Sequence, residues 1–144
     1  MSTLDRQVEH RLFDRDIRYT KGRRRVIEAL AASDGPRSAA ELHVEVQTDV
    51  PLSSLYRSLA VLEDAGVIAP HYSSKGITRY ELAEWLAGHH HHLQCVSCGS
   101  VEDIELSEDV ELELDAIAER IGADSRFRTT DHALEIEGYC AHCS

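Results

Sequence analysis

Four cysteines stand as two pairs, Cys95-Val96-Ser97-Cys98 and Cys140-Ala141-His142-Cys143. A C-x-x-C turn aims two thiolates at one point about 2.3 Å from each sulfur, and two such turns complete a tetrahedral zinc site with no open position. A closed site is structural, and here it would tie residues 140–143 back to the first turn of a second domain. Disulfides and a redox dithiol compete with this reading. The first needs an oxidising compartment, and the second leaves the other pair unexplained. Just ahead of Cys95 stand His89, His90, His91 and His92. In a strand, His90 and His92 share one face and His89 and His91 the other, so one short strand could serve two separate metal sites. Imidazole suits Zn, Fe, Ni and Cu, and the histidines alone do not choose among them. A solvated polar run is the plain alternative.

The elements that would carry these groups follow from periodicity. Leu4, Val8, Leu12 and Phe13 recur at nearly helical spacing over 4–17. Thr20 can cap a second helix with Val26, Ile27 and Leu30 inward, ending near Asp34-Gly35-Pro36. Ser38-Ala39-Ala40-Glu41 is a capping box for a third helix, with Leu42 and Val46 inward. Ser53 or Ser54 should cap a fourth, with Leu55, Leu59 and Leu62 facing the core and Gly66 at its end. VIAPHY and ITRYEL flank SSKG as a hairpin. Helices followed by a hairpin predict a winged helix-turn-helix, which presents one helix to the DNA major groove. The fourth helix is the candidate, with Tyr56, Arg57 and Ser58 outward. Lys75 and Arg79 on the hairpin would meet phosphates. A generic helical subdomain is the alternative.

Residues 83–88, AEWLAG, read as a connector. HHHHLQC and SVEDIEL are strand-like around the CVSCG turn. Ser107 caps a helix to about Ile121-Gly122, and the stretch from Phe127 to Tyr139 contains HALEIEGY, which alternates as a half-buried strand does. The expected organisation is α+β: an N-terminal winged helix-turn-helix domain over 1–82, a hinge at 83–88, and a C-terminal α/β domain over 89–144 carrying the four-cysteine zinc site.

Charge divides the same way. The formal net charge is −11, yet residues 1–84 hold 12 Lys/Arg against 13 Asp/Glu, and residues 85–144 hold 3 against 13. Arg18, Lys21, Arg23, Arg24 and Arg25 place five cations within eight residues. A nucleic-acid contact or a solvated helix face would both use them. No apolar run approaches the roughly 20 residues that cross a bilayer. The N-terminal residues lack the apolar stretch of a signal peptide. Both points lead us to expect a cytoplasmic protein with no membrane partner, in which cysteines favour metal over disulfides.

HHHHLQCVSCG with CAHC, together with SSLYRSLAVLEDAGVI, resembles the ferric uptake regulator (Fur) family of bacterial metalloregulators, over about Arg18 to Cys143. The resemblance implies a homodimeric repressor in which a hinge metal fixes the angle between domains. The metal-loaded dimer then fits an AT-rich palindromic operator in double-stranded DNA. Position by position it implies structural Zn2+ at Cys95, Cys98, Cys140 and Cys143. His90, His92 and Glu81 become ligands of a sensor site. His89, His91 and His132 become ligands of an additional site, completed by Glu111, or by Glu113 in another register. Tyr56 and Arg57 become recognition-helix contacts, and Arg18, Thr20 and Arg23 a basic loop reaching DNA.

The pattern departs in one place. Many iron-type members carry a histidine ligand where this chain has Pro36 and Arg37. Zinc-type members offer an aspartate where it has Ala69, and often a cysteine at the place of Glu81. His71 is the candidate replacement from the N-terminal side. Retention of Glu81 favours Fe2+ as the regulatory ion, with Zn2+ compatible. A zinc-uptake or peroxide-responsive regulator is the nearest alternative. A zinc-dependent or thiol enzyme is a rival of another class, as is a metal store. No positioned general base accompanies the histidines, so no catalytic residue is assigned and no enzyme is expected.

Overall fold

A computed structural model describes residues 1–72 and 75–144; Ser73 and Ser74, within the expected turn of the hairpin, lie outside the described residues. The chain divides into two compact units, Met1–His89 and His90–Ser144.

The first unit opens with α1 (Thr3–Phe13), which buries Val8 and Leu12. Phe13 is exposed, because it leaves the face that Val8 and Leu12 share. Thr20 caps α2 (Lys21–Ala31) by accepting from the Arg23 amide, and Val26, Ile27, Ala29 and Leu30 turn inward. A two-residue strand β1 (Arg37–Ser38) precedes α3 (Ala39–Val46), whose Ser38–Glu41 capping box is fully formed. No periodicity announces so short a strand.

Helix α4 (Leu52–Asp64) starts earlier than expected. Pro51 occupies the N-cap with φ −61°, and no side chain caps the helix, so neither Ser53 nor Ser54 does so. Ser58 also departs from expectation. It stands three residues after Leu55 and four before Leu62, hence on their face, and it is buried rather than outward. Gly66, at φ 72°, ends the helix in the left-handed region.

Strands β2 (Ile68–Tyr72) and β3 (Thr78–Leu82) form the antiparallel hairpin, and β1 adds to β3, giving the order β1-β3-β2. Segment 83–88 is more ordered than a plain connector. It contains a helical turn, α5 (Glu84–Ala87), that is fastened to the first unit. The Trp85 indole N–H donates to Gly66 O at 2.8 Å, the Arg11 guanidinium lies 4.2 Å from the ring centroid, and Leu86 packs on the core.

In the second unit β4 (His91–Cys95) is central, antiparallel to β5 (Val101–Ile104) and parallel to β6 (Glu135–Gly138). Between them runs α6 (Glu108–Asp124), capped by Ser107. The last strand is shorter than its alternation suggested, and it is not half-buried within the chain. Glu135, Ile136 and Glu137 are all exposed, as are Val110, Leu112, Ile117 and Ile121 on α6.

Candidate metal centres and nucleic-acid interface

The turn after β4 carries Cys95 and Cys98, and the turn after β6 carries Cys140 and Cys143. The parallel β4–β6 pairing brings the two turns to the same end of the sheet, with Cys95 opposite Gly138. All four sulfurs lie within 4.8 Å of one another. Cys98 Sγ and Cys140 Sγ are 3.9 Å apart. A tetrahedron with Zn–S near 2.3 Å has edges of about 3.8 Å, so the cluster has the dimensions of a zinc site. No disulfide forms among the four.

Without an ion, the sulfurs divide their protons unequally. The backbone N–H groups of Cys98 and Cys140 donate to Cys95 Sγ and draw its pKa down to about 6. Cys98 is also lowered, first by its hydrogen bond to the Ser100 hydroxyl. Cys143 is pushed up to about 11, chiefly by its hydrogen bond with Cys140. Amides aimed at sulfur favour the thiolate, the form that ligates metal.

The two faces of the histidine run lead to different carboxylates. On one face the His90 and His92 rings meet edge to face at 5.1 Å, and each Nε2 lies 3.5 Å from Asp103 Oδ1. Asp103 is the β5 residue directly opposite His92, a position that only the strand register reveals. On the other face His91, nearly fully buried, places Nε2 2.5 Å from Glu111 Oε1. The His132 ring stacks on His91 at 5.3 Å, with Nε2 3.2 Å from Glu111 Oε2. Glu113 is exposed, since two residues along a helix turn a side chain about 200° away from Glu111. Each group has imidazole and carboxylate donors at the separation a divalent ion needs.

The remaining expected metal residues belong to the first unit. Glu81 is half-buried on β3 opposite Ala69, and His71 is buried on β2 opposite Arg79. His89 Nδ1 lies 2.8 Å from Glu84 Oε1.

On the same unit, Tyr56 and Arg57 are exposed on α4, and Arg18 is exposed before α2. The Arg23 Nη1 donates to Arg18 O at 2.6 Å, and Thr20 caps the helix, so both residues shape the loop that presents Arg18. Arg79 is not the phosphate contact its place on the hairpin suggested. It is buried, and its Nη1 is 2.5 Å from Glu41 Oε1, the carboxylate of the α3 capping box. Lys75 remains exposed.

The ferric uptake regulator family model matches residues 14–137. The chain belongs to this family. It is 36% identical over 141 residues to a ferric uptake regulation protein of Legionella pneumophila, covering 95% of this chain and 98% of that relative. It is 31% identical over 146 residues to one of Bacillus subtilis, covering 98% and 94%. Its fold is similar to that of the Vibrio cholerae ferric uptake regulator, with TM-score 0.72 and 27% identity over 92% of this chain and 98% of that one. Carboxylates beside the histidines of the second unit that the sequence reading missed include Asp103, Asp115 and Glu135. Each reaches a histidine through strand register or helix phase: Asp115 Oδ1 is 3.0 Å from His132 Nδ1, and Glu135 Oε1 is 3.5 Å from His92 Nδ1.

Proposed function

We propose that this metal-responsive DNA-binding repressor works in the cytoplasm as a homodimer on double-stranded operator DNA, with Fe2+ as the ion it senses. The observation that carries the reading is the pairing of a closed four-cysteine cluster with histidine–carboxylate groups on both faces of one strand. Zn2+ belongs at Cys95, Cys98, Cys140 and Cys143 as a structural ion. His90, His92, Glu81 and His71 are proposed as the sensor ligands, and His89, His91, Glu111 and His132 as the additional site. The proposed sensor takes ligands from residues on both sides of segment 83–88. An ion there favours whichever arrangement of the domains completes its shell, and operator binding must tighten metal binding by the same factor.

Arg18, Thr20, Arg23, Tyr56 and Arg57 are proposed to face DNA. The exposed apolar side chains of α6 and β6 support a homodimer, because a patch of this kind on a single chain marks a protein interface. Among the described residues no helix is long and apolar enough to cross a membrane.

The test is metal analysis of the native protein, paired with operator titration in Fe(II), Zn(II) and Mn(II). Operator binding that tightens with Fe(II) at lower free concentration than with Zn(II) supports the iron reading. The reverse order makes it a zinc-responsive regulator, and metal-independent binding removes the sensor model. Unchanged metal response in His71→Ala would drop His71 from the ligand set.

A further inference from the structure

One helix places a carboxylate within ion-pair distance of each His132 ring nitrogen. The His132 Nε2 lies 3.2 Å from Glu111 Oε2 and its Nδ1 3.0 Å from Asp115 Oδ1. Glu111 and Asp115 are four residues apart on α6, so a single face delivers both carboxylates. Two like charges at that spacing repel one another unless something between them is polarised or positive. His132 stands in that position, with its side chain only 12% exposed.

The two nitrogens face different surroundings. Nε2 points to the side on which His91 Nε2 also meets Glu111. Nδ1 lies 3.0 Å from Asp115 Oδ1. A neutral imidazole carries its proton on one nitrogen and offers the lone pair of the other to a metal, and the partner of the protonated nitrogen decides which is which. Donation from Nδ1–H to Asp115 leaves the Nε2 lone pair directed at the group formed with His91 and Glu111. The corresponding contact on the other face, His92 Nδ1 to Glu135, is 3.5 Å and beyond the ordinary N–H···O range.

We propose that Asp115 is a positioning residue for a divalent-cation site at His91, Glu111 and His132, selecting the His132 tautomer whose Nε2 can ligate. This rests on reading that group as a metal site. Asp115 would not touch the ion, and its side chain is 60% exposed, so replacing it leaves the core intact.

The test uses the full chain with its cysteine-bound zinc, titrated with further Zn(II), with Glu111→Ala identifying the binding phase of this group. Asp115→Asn should weaken that phase about 10- to 100-fold without changing the melting temperature, and Asp115→Glu should recover part of the loss. Long-range 15N NMR of the His132 ring, before further Zn(II) is added and with the ring neutral, should show Nδ1–H in the wild type. It should shift towards Nε2–H in Asp115→Asn, whose amide can donate to Nδ1. An unmoved binding phase in Asp115→Asn, or Nε2–H already in the wild type, overturns the role of Asp115. If Glu111→Ala removes no phase at all, the metal reading of the group itself fails, and the proposal with it.

Discussion

Cys98 Sγ and Cys140 Sγ lie 3.9 Å apart although 42 residues separate them in the chain. The contact joins the turn after β4 to the turn after β6, and the second unit has little else to close it. Of its apolar residues only Cys95 and Val101 are buried, whereas the first unit has a continuous core from Val8 to Leu82. A structural zinc in small domains contributes on the order of 10 kcal/mol of apparent folding free energy. Cys140→Ser, or exhaustive chelation, should therefore unfold His90–Ser144 and leave the first unit's helices formed. Zinc content and amide exchange resolved by unit measure this, and retained protection across β4 in the zinc-free protein would count against it.

The Cys95 thiol should titrate far below that of Cys143. Its folded pKa, about 6 against an ordinary 9, is lowered by the Cys98 and Cys140 amides. A lowered value means the folded state favours the thiolate. That contribution is complete above about pH 9 and is lost as pH falls through about 6. Cys143 has the opposite sign: raised to about 11, it stabilises the protonated form below about 9 and loses this as pH rises through 11. Rapid pH jumps on freshly chelated protein, read before the second unit unfolds, should show one thiolate step near pH 6 that disappears in Cys95→Ser. All four thiols ionising near pH 9 at that early time would contradict the arrangement.

Arg79 should matter for stability and not for phosphate binding. Its guanidinium fixes β3 to the capping box of α3 through Glu41. Removing one partner of a fully buried pair costs about 3–5 kcal/mol. Glu41 keeps 44% of its side chain exposed, which discounts the figure to about 1–2 kcal/mol. Urea denaturation of Arg79→Met should show that loss, while the salt dependence of operator affinity stays at the wild-type slope. A slope reduced by about one would mean that Arg79 does reach a phosphate.

What the sequence made readable were the features encoded by spacing. Two C-x-x-C turns, a Ser38–Glu41 box and the alternation of four histidines each carry their geometry within a few residues. Arg79 could not be read this way, because its partner Glu41 is brought to it by the β1–β3 pairing, and β1 is two residues long. Asp103 and Glu135 lie opposite His92 on two different strands, so they required the register of the whole sheet. Ser58 was legible in principle, since it shares the spacing of Leu55 and Leu62, but its hydroxyl suggests a surface. The alternation of β6 predicted a half-buried strand, whereas Glu135, Ile136 and Glu137 are all exposed.

Arg57 and Lys75 should separate base reading from charge neutralisation. Both are exposed, Arg57 on the helix that a winged fold offers to the major groove and Lys75 beyond β2. An arginine paired to a base edge contributes about 1–3 kcal/mol of discrimination, whereas a lysine on phosphate lowers affinity for all sequences and the salt slope by about one. Arg57→Ala should therefore weaken operator binding about 10- to 100-fold and narrow the gap between operator and random duplex. Lys75→Ala should shift both equally and flatten the salt dependence. Binding titrations on the two duplexes at several salt concentrations distinguish these results. Equal losses on both duplexes for Arg57→Ala would place that side chain on the backbone and leave base reading to Tyr56 or to the loop at Arg18.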